Sequence, residues 1–276
     1  MTQRTRLAVL GSPIAHSKSP AIHAAAYRAL GLPWQYEAIE LSPDALAGFV
    51  QSRDETWRGL SLTMPLKRDV LPLLDRADRV AELVGAANTV LFDESGRSGF
   101  NTDVPGAVHA LREAGVEQVR FARILGSGAT AASVLVALAE LGAQQVFVSA
   151  RTPAHAQPLV ELAAGLGVEL AVHPWGMMDR SLRAPEVIVS TVPGGASGIS
   201  FAQPIRERSV LFEVAYDPWP TTMVREWQDA GGTVVGGLEL LLWQAVAQVR
   251  IFLNRDPAIA LPGEDEVVAA MRAALV

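Results

Sequence analysis

The sequence predicts a two-domain α/β protein whose second domain is a doubly wound, largely parallel sheet. Three observations carry this expectation. Short β-branched or apolar runs alternate with longer helical patterns along the whole chain. From about residue 120 the alternation is regular enough to read as consecutive βαβ units. The 276 residues, 50% hydrophobic and 19% charged, suffice for two ordinary cores and exclude a disordered chain.

The elements are expected in the following order. Residues 7–10 form a strand ending at Gly11. Ser19-Pro20 starts a helix, with serine as N-cap and proline at the first helical position, and Gly31 closes it. Strands follow at 36–40, 60–63 and 89–92. Asp93-Glu94-Ser95-Gly96-Arg97 is a turn that brings 98–101 back as an antiparallel hairpin. In the second series, 122–125 is a strand, 130–141 a helix stopped by Gly142, and 145–149 a strand. Residues 154–166 form a helix closed by Gly167, 187–192 and 210–214 are buried strands, and 221–230 is a helix ended by Gly231-Gly232. The boundary is expected near residues 103–106, giving domains at 1–103 and 104–236, with a helical segment at 237–276. The longest apolar stretch, Leu238 to Leu253, is interrupted by Glu239, Gln244, Gln248 and Arg250, so it reads as a buried helix and not a membrane span.

Composition excludes several classes of function. A formal charge of −6 with scattered basic residues leaves no electrostatic footprint for nucleic acid or an anionic membrane. The chain has no cysteine, which removes disulfides, thiolate metal sites and a cysteine nucleophile, and fits a cytoplasmic protein. No cluster with metal-ligand spacing is present, so no metal is expected. The polar start, Met1 to Arg6, leads into an apolar run too short for a signal-peptide core.

The most informative local motif is Leu125-Gly126-Ser127-Gly128-Ala129-Thr130-Ala131, between a strand and a helix. There, Gly126 permits a tight turn, Gly128 lets the backbone approach a pyrophosphate, and Ala131 takes the third position as an accepted variant. The helix N–H groups then face the phosphates, so a Rossmann-type dinucleotide site is expected. The next strand ends Ser149-Ala150-Arg151-Thr152, where an NAD site would carry a carboxylate for the ribose hydroxyl. Arginine cannot accept from a hydroxyl, but its fork suits a 2′-phosphate, with Thr152 as a further donor. NADP is the expected cofactor.

Four segments of the first domain place small polar or charged groups at strand ends or helix starts: Ser17-Lys18-Ser19, Thr63 to Lys67, Gly85 to Thr89 and Gly99 to Asp103. Together with their surroundings they resemble the shikimate dehydrogenase family. Gly11 to Pro20, followed by His23, resembles that family's N-terminal substrate-binding signature. Leu62-Thr63-Met64-Pro65-Leu66-Lys67 resembles its lysine motif, and Gly99 to Asp103 its aspartate motif. Tyr216 to Thr221 and Gly237 to Ala245 resemble its tyrosine-containing loop and C-terminal helix, so the likeness runs nearly end to end. The chain departs from the family's usual residues at Ala24, Ser61, Ala129, Ala150 and Leu240, and Ala150 removes one polar contact near the adenosine ribose.

The resemblance implies reversible reduction of 3-dehydroshikimate to shikimate with NADPH. It assigns Ser17 and Ser19 to the substrate carboxylate, and Thr63, Lys67, Asn88, Asp103 and Gln244 to the ring hydroxyls. Tyr216 would lie near substrate and nicotinamide. The cofactor set would be Gly126, Ser127, Gly128, Ala129, Thr130, Arg151, Thr152 and Gly237. It implies an N-terminal substrate domain, C-terminal helices that return to it, and an active site in a cleft between domains. Hydride delivered to a ketone leaves an alkoxide that must be protonated, and in reverse a base must take the hydroxyl proton. A lysine alone is a poor base at neutral pH, and a neighbouring carboxylate is coupled to it, so Lys67 and Asp103 are assigned the role as a pair. The expected partners are small molecules, with no nucleic acid and no membrane, in a monomer or homodimer. The alternatives are a quinate/shikimate dehydrogenase with NAD use, a non-catalytic NADP-binding sensor, and a related folate dehydrogenase. The sensor would have no reason to keep Lys67 with Asp103, and the serine pair and Gln244 have no role in the folate enzyme. Lys18 reads as solvated, and His16 and His23 as structural.

Overall fold

Arg6–Gly11 is the first strand (β1), and all of its residues but Arg6 are buried, as a strand covered on both faces requires. The computed structural model describes residues 5–176, 184–196 and 198–275. The chain divides into two compact units, Met1–Gly106 with Leu241–Val276, and Ala107–Leu240.

In the first unit, β1 is joined by Gln35–Glu40 (β2), Trp57–Leu62 (β3), Arg76–Ala77 (β4), Thr89–Asp93 (β5) and Gly96–Phe100 (β6). They form one six-stranded sheet in the order β2-β1-β3-β5-β6-β4. β1 runs parallel to β2 and β3, whereas β5 is antiparallel to β3 and β6. The helices are Ser19–Ala29 (α1), Pro43–Gln51 (α2) and Arg79–Val84 (α3). The core gathers Leu10, Leu60, Leu62, Val90 and Trp57. Side chains of this size contribute about 1.5–3 kcal/mol each when fully buried.

Asp103–Glu113 (α4) leads to the second unit, whose strands are Phe121–Leu125 (β7), Gln145–Ala150 (β8), Glu169–Pro174 (β9), Val187–Ser190 (β10), Val210–Glu213 (β11) and Val234–Gly236 (β12). All pair in parallel, in the order β12-β11-β10-β7-β8-β9. This is the doubly wound arrangement, and its order reverses between β7 and β10, where such sheets bind ligands. Its helices are Ala129–Glu140 (α5), Gln157–Leu166 (α6), Gln203–Arg208 (α7) and Thr222–Asp229 (α8). The chain ends in Gly237–Asn254 (α9) and Glu264–Ala273 (α10), and α10 packs on α1. None of the described helices is long and apolar enough to cross a membrane.

Several expectations need correction. The helix at Ser19 begins at Ser19 itself; Lys18 holds the N-cap position and makes no side-chain cap. Lys18 is not simply solvated, because its ammonium donates to the Leu275 carbonyl at 2.9 Å, just past the end of α10 where helix carbonyls lack partners. The hairpin is tighter than the five-residue turn expected, since pairing continues to Asp93↔Gly96 and leaves only Glu94 and Ser95 in the turn. The segment 154–166 is a 3₁₀ turn, Pro153–Ala156, followed by α6. Pro158 has no N–H to donate to Ala154, so regular helix cannot run through from there. The strands β4, β9 and β12 have no counterpart in the sequence reading: two are only two or three residues long, and β9 is a half-exposed edge without a strong apolar run.

Candidate active site

Lys67, Asn88 and Asp103 come from three separate segments, and the first unit's sheet brings them together. Lys67 follows Leu66, which is fully buried and anchors the loop after β3, and the Lys67 carbonyl accepts from Ala87 N at 2.8 Å. Asn88 immediately precedes β5; its N–H donates to the Phe100 carbonyl at 3.0 Å and its own carbonyl accepts from Leu62 N at 2.8 Å. Asp103 is the first residue of α4, a position where the helix dipole favours a carboxylate. Its N–H donates to Asn101 Oδ1 at 3.1 Å.

The side chains then interlock. Lys67 Nζ donates to Asp103 Oδ2 at 2.5 Å, with the two side chains 12% and 7% exposed. Asn88 Nδ2 donates to Asp103 Oδ1 at 2.8 Å, so both carboxylate oxygens are engaged. Asn88 Oδ1 accepts from Thr102 N at 2.9 Å, which orients the amide. A buried ion pair is costly to desolvate unless its remaining polar atoms are also bonded, and here the second carboxylate oxygen is. An ammonium held against a carboxylate at a partly open surface can give or take a proton and can hold a hydroxyl.

The other substrate candidates of the first unit are not bonded into this set. Ser17 Oγ accepts from Ser19 N at 3.3 Å; Ser17 and Thr63 are half-buried and Ser19 is buried. Gln244, on α9, is buried and folds its amide onto its own helix, donating to Leu241 O at 2.7 Å. Gly106 lets α4 lie this close to α9, because a Cβ there would sit 2.8 Å from the Gln244 nitrogen.

The remaining candidates belong to the second unit. Gly126 follows β7 with φ +111, and a Cβ there would lie 2.5 Å from Thr191 Oγ1, so only glycine makes this turn. Thr191 follows β10 and donates through Oγ1 to the Leu125 carbonyl at 2.9 Å, tying the turn to the switch point. Ser127 is half-buried, Gly128 is the N-cap of α5, and Ala129 and Thr130 form its first turn. The leading N–H groups of α5 are thus available to phosphate oxygens. Arg151 and Thr152 are exposed just past the end of β8, the neighbouring strand. A glycine turn, a helix N-terminus and an exposed cation on the next strand fit a phosphorylated dinucleotide. Gly237 is buried at the start of α9. Tyr216 is half-buried, and burial, then the Asp217 carboxylate, push its phenol above the ordinary range.

Three supporting features were not anticipated. Thr102 orients Asn88, a role that only the folded chain reveals. Glu213 is fully buried at the foot of the Tyr216 loop, accepting from Thr221 Oγ1 at 3.1 Å and Ala215 N at 3.2 Å, and burial raises its carboxyl above the usual range. Gln248 donates to Thr89 Oγ1 and to the Asn88 carbonyl at 3.1 and 3.3 Å. In the sequence it stands four residues after Gln244, on the same helix face, inside an otherwise apolar run, and that spacing was the available signal.

A model of the shikimate dehydrogenase substrate binding domain matches residues 9–90. Over 259 residues the chain is 33% identical to the shikimate dehydrogenase (NADP(+)) of Methanothermobacter thermautotrophicus, covering 91% of this chain and 92% of that protein. It is 36% identical to the corresponding protein of Thermus thermophilus over 256 residues, 91% of this chain and 94% of that one. Among solved structures, the shikimate dehydrogenase of Mycobacterium tuberculosis superimposes with a TM-score of 0.85 at 38% identity, covering 98% of this chain and 99% of that one. The Thermus thermophilus shikimate 5-dehydrogenase in complex with NADP(H) and shikimate gives 0.81 at 33% identity, with 98% and 99% covered.

Proposed function

The chain belongs to the shikimate dehydrogenase family, and from that premise we propose which of its residues carry the reaction. The enzyme is an oxidoreductase that interconverts 3-dehydroshikimate and shikimate with NADP(H), a step of aromatic amino acid biosynthesis. Bound NADPH supplies the hydride. Lys67 and Asp103 act as one acid/base unit: as negative charge grows on the ketone oxygen, the proton shared between Lys67 Nζ and Asp103 Oδ2 is given to it, and in reverse the pair takes it back. Asn88 holds Asp103 Oδ1 throughout. The Ser17 and Ser19 hydroxyls take the substrate carboxylate, Thr63 and Gln244 the ring hydroxyls, and Tyr216 lies beside substrate and nicotinamide. Gln244 can do so while Nε2 holds the Leu241 carbonyl, because that bond uses only one of its N–H groups and none of its oxygen. The backbone of Gly126 to Thr130 would hold the pyrophosphate, Arg151 and Thr152 would hold the 2′-phosphate, and Gly237 would complete the cofactor set. The reading extends to a cytoplasmic monomer or homodimer that acts on small molecules alone.

The observation that carries this reading is the 2.5 Å contact between Lys67 and Asp103, because a protein that only sensed the cofactor would have no use for it. Steady-state kinetics of the purified chain with shikimate or quinate, each with NADP⁺ or NAD⁺, test it. Shikimate with NADP⁺ is expected to give the highest kcat/KM, by about tenfold or more over any other combination. Equal or better turnover of quinate with NAD⁺ would assign the serine pair and Arg151 wrongly.

A further inference from the structure

The hydrogen bonds around Asp103 do not stop at Asn88. Asn88 Oδ1 accepts from Thr89 Oγ1 at 2.9 Å, and Thr89 Oγ1 in turn accepts from Gln248 Nε2 at 3.1 Å. At its other end, Gln248 Oε1 accepts from the Ser61 hydroxyl at 2.9 Å and faces His23 Nε2 at 3.1 Å. His23 Nδ1 faces the Tyr27 hydroxyl at 3.0 Å, and the His23 ring stacks on Tyr36 with centroids 3.9 Å apart. His23, Tyr27, Ser61, Asn88, Thr89 and Gln248 are all at most 3% exposed.

These bonds share one direction. An amide oxygen can only accept, so His23 donates from Nε2, and in a neutral ring its Nδ1 is then left to accept from Tyr27. Burial lowers the His23 pKa from 6.5 to about 3, which keeps the ring neutral. From Tyr27 through His23, Gln248, Thr89 and Asn88, each donor therefore points towards Asp103, and aligned bonds of this kind strengthen one another. The direction matters most at Asn88. Turned over, its amide would present an oxygen to the Asp103 carboxylate. The Thr89 hydroxyl, held by Gln248, stands with Thr102 on the side that keeps Oδ1 away from Asp103 and Nδ2 facing it.

We propose that Gln248 is a positioning residue for the reaction: acting through Thr89 and Asn88, it holds Asp103 Oδ1 so that Oδ2 stays against Lys67. The inference rests on Lys67 and Asp103 being the acid/base pair. It also gives Ser61 a place, as a second donor that keeps the Gln248 amide from turning over.

The test measures shikimate oxidation by Gln248→Met, which keeps length and volume, and by the pair Thr89→Val and Thr89→Ser, with Asp103→Asn alongside. Gln248→Met is expected to lower kcat about tenfold or more while KM for NADP⁺ stays within about twofold. Thr89→Val, which keeps shape but loses the hydroxyl, is expected to lower kcat several-fold, and Thr89→Ser to restore it to within about twofold. Unchanged kcat in folded Gln248→Met overturns the proposal. If that variant does not fold, the threonine pair decides: equal kcat in Thr89→Val and Thr89→Ser overturns it, because shape alone would then be what counts. Full turnover in Asp103→Asn would instead remove the acid/base reading beneath it, which separates the two failures.

Discussion

The two units prepare for ligands in opposite ways. In the first, Lys67, Asp103 and Asn88 are already bonded to one another and largely shielded from water. In the second, the turn at Gly126 is shaped by backbone geometry, while Arg151 and Thr152 stand exposed. The difference matches the two kinds of work proposed for these residues. Proton transfer needs groups held to fractions of an ångström, which a preformed network supplies. Phosphate recognition can rest on backbone N–H groups and a long cation that orders when the ligand arrives. Substitutions in the first unit should therefore act on turnover, and those at the strand end of the second on cofactor affinity.

The largest expected effect breaks one side of the comparison and spares the other. Lys67→Ala should lower kcat by about a thousandfold, while NADPH binding, followed by fluorescence titration, stays unchanged. Near-normal turnover would remove Lys67 from the chemistry. Next in size, Arg151→Ala should raise KM for NADPH by about ten- to a hundredfold, the worth of one or two charge-assisted hydrogen bonds, and leave NADH nearly untouched. Equal losses with both cofactors would mean that Arg151 does not read the 2′-phosphate.

The smallest effect sharpens the first side, because it asks whether the network behind Asp103 is as dry as its burial implies. His23 titrates at about 3 in the fold against an ordinary 6.5. Below 6.5 the unfolded chain therefore takes up a proton that the folded chain refuses. The His23 contribution to stability is complete above about pH 6.5 and falls as the pH drops towards 3, by about 1 kcal/mol per pH unit. Urea unfolding of the unaltered chain and of His23→Gln over this range should give curves that differ by that slope. Parallel curves would mean that His23 is not held neutral.

Much of the fold was legible in the sequence because local rules act locally. Buried parallel strands such as β1, β7 and β10 stand out as apolar runs, and the glycines at 31, 142 and 167 adopt the positive φ that their helix ends require. Among the strands, what was missed is short or half-exposed, as in β4, β9 and β12, where too few residues carry the pattern. The start of α1 moved by one residue for a related reason: a Ser-x-Ser-Pro stretch offers two serines, and spacing does not say which one enters the helix.

The candidate site divides along the same line. The residue types needed for proton transfer and phosphate binding could be named from Lys67, Asp103, Gly126 and Arg151 and their neighbours in sequence. By itself the sequence determined the alternation of strands and helices, the glycine turn with a basic strand end beside it, and the kinds of side chain present. Only the tertiary structure decided that Asn88 spans Asp103 and Thr102, that Lys18 ties to the end of α10, and that Gln248 meets His23 225 positions away. The reason is physical: periodicity records which face of an element is buried, whereas a hydrogen bond between distant segments depends on how sheet and helices bring those faces together.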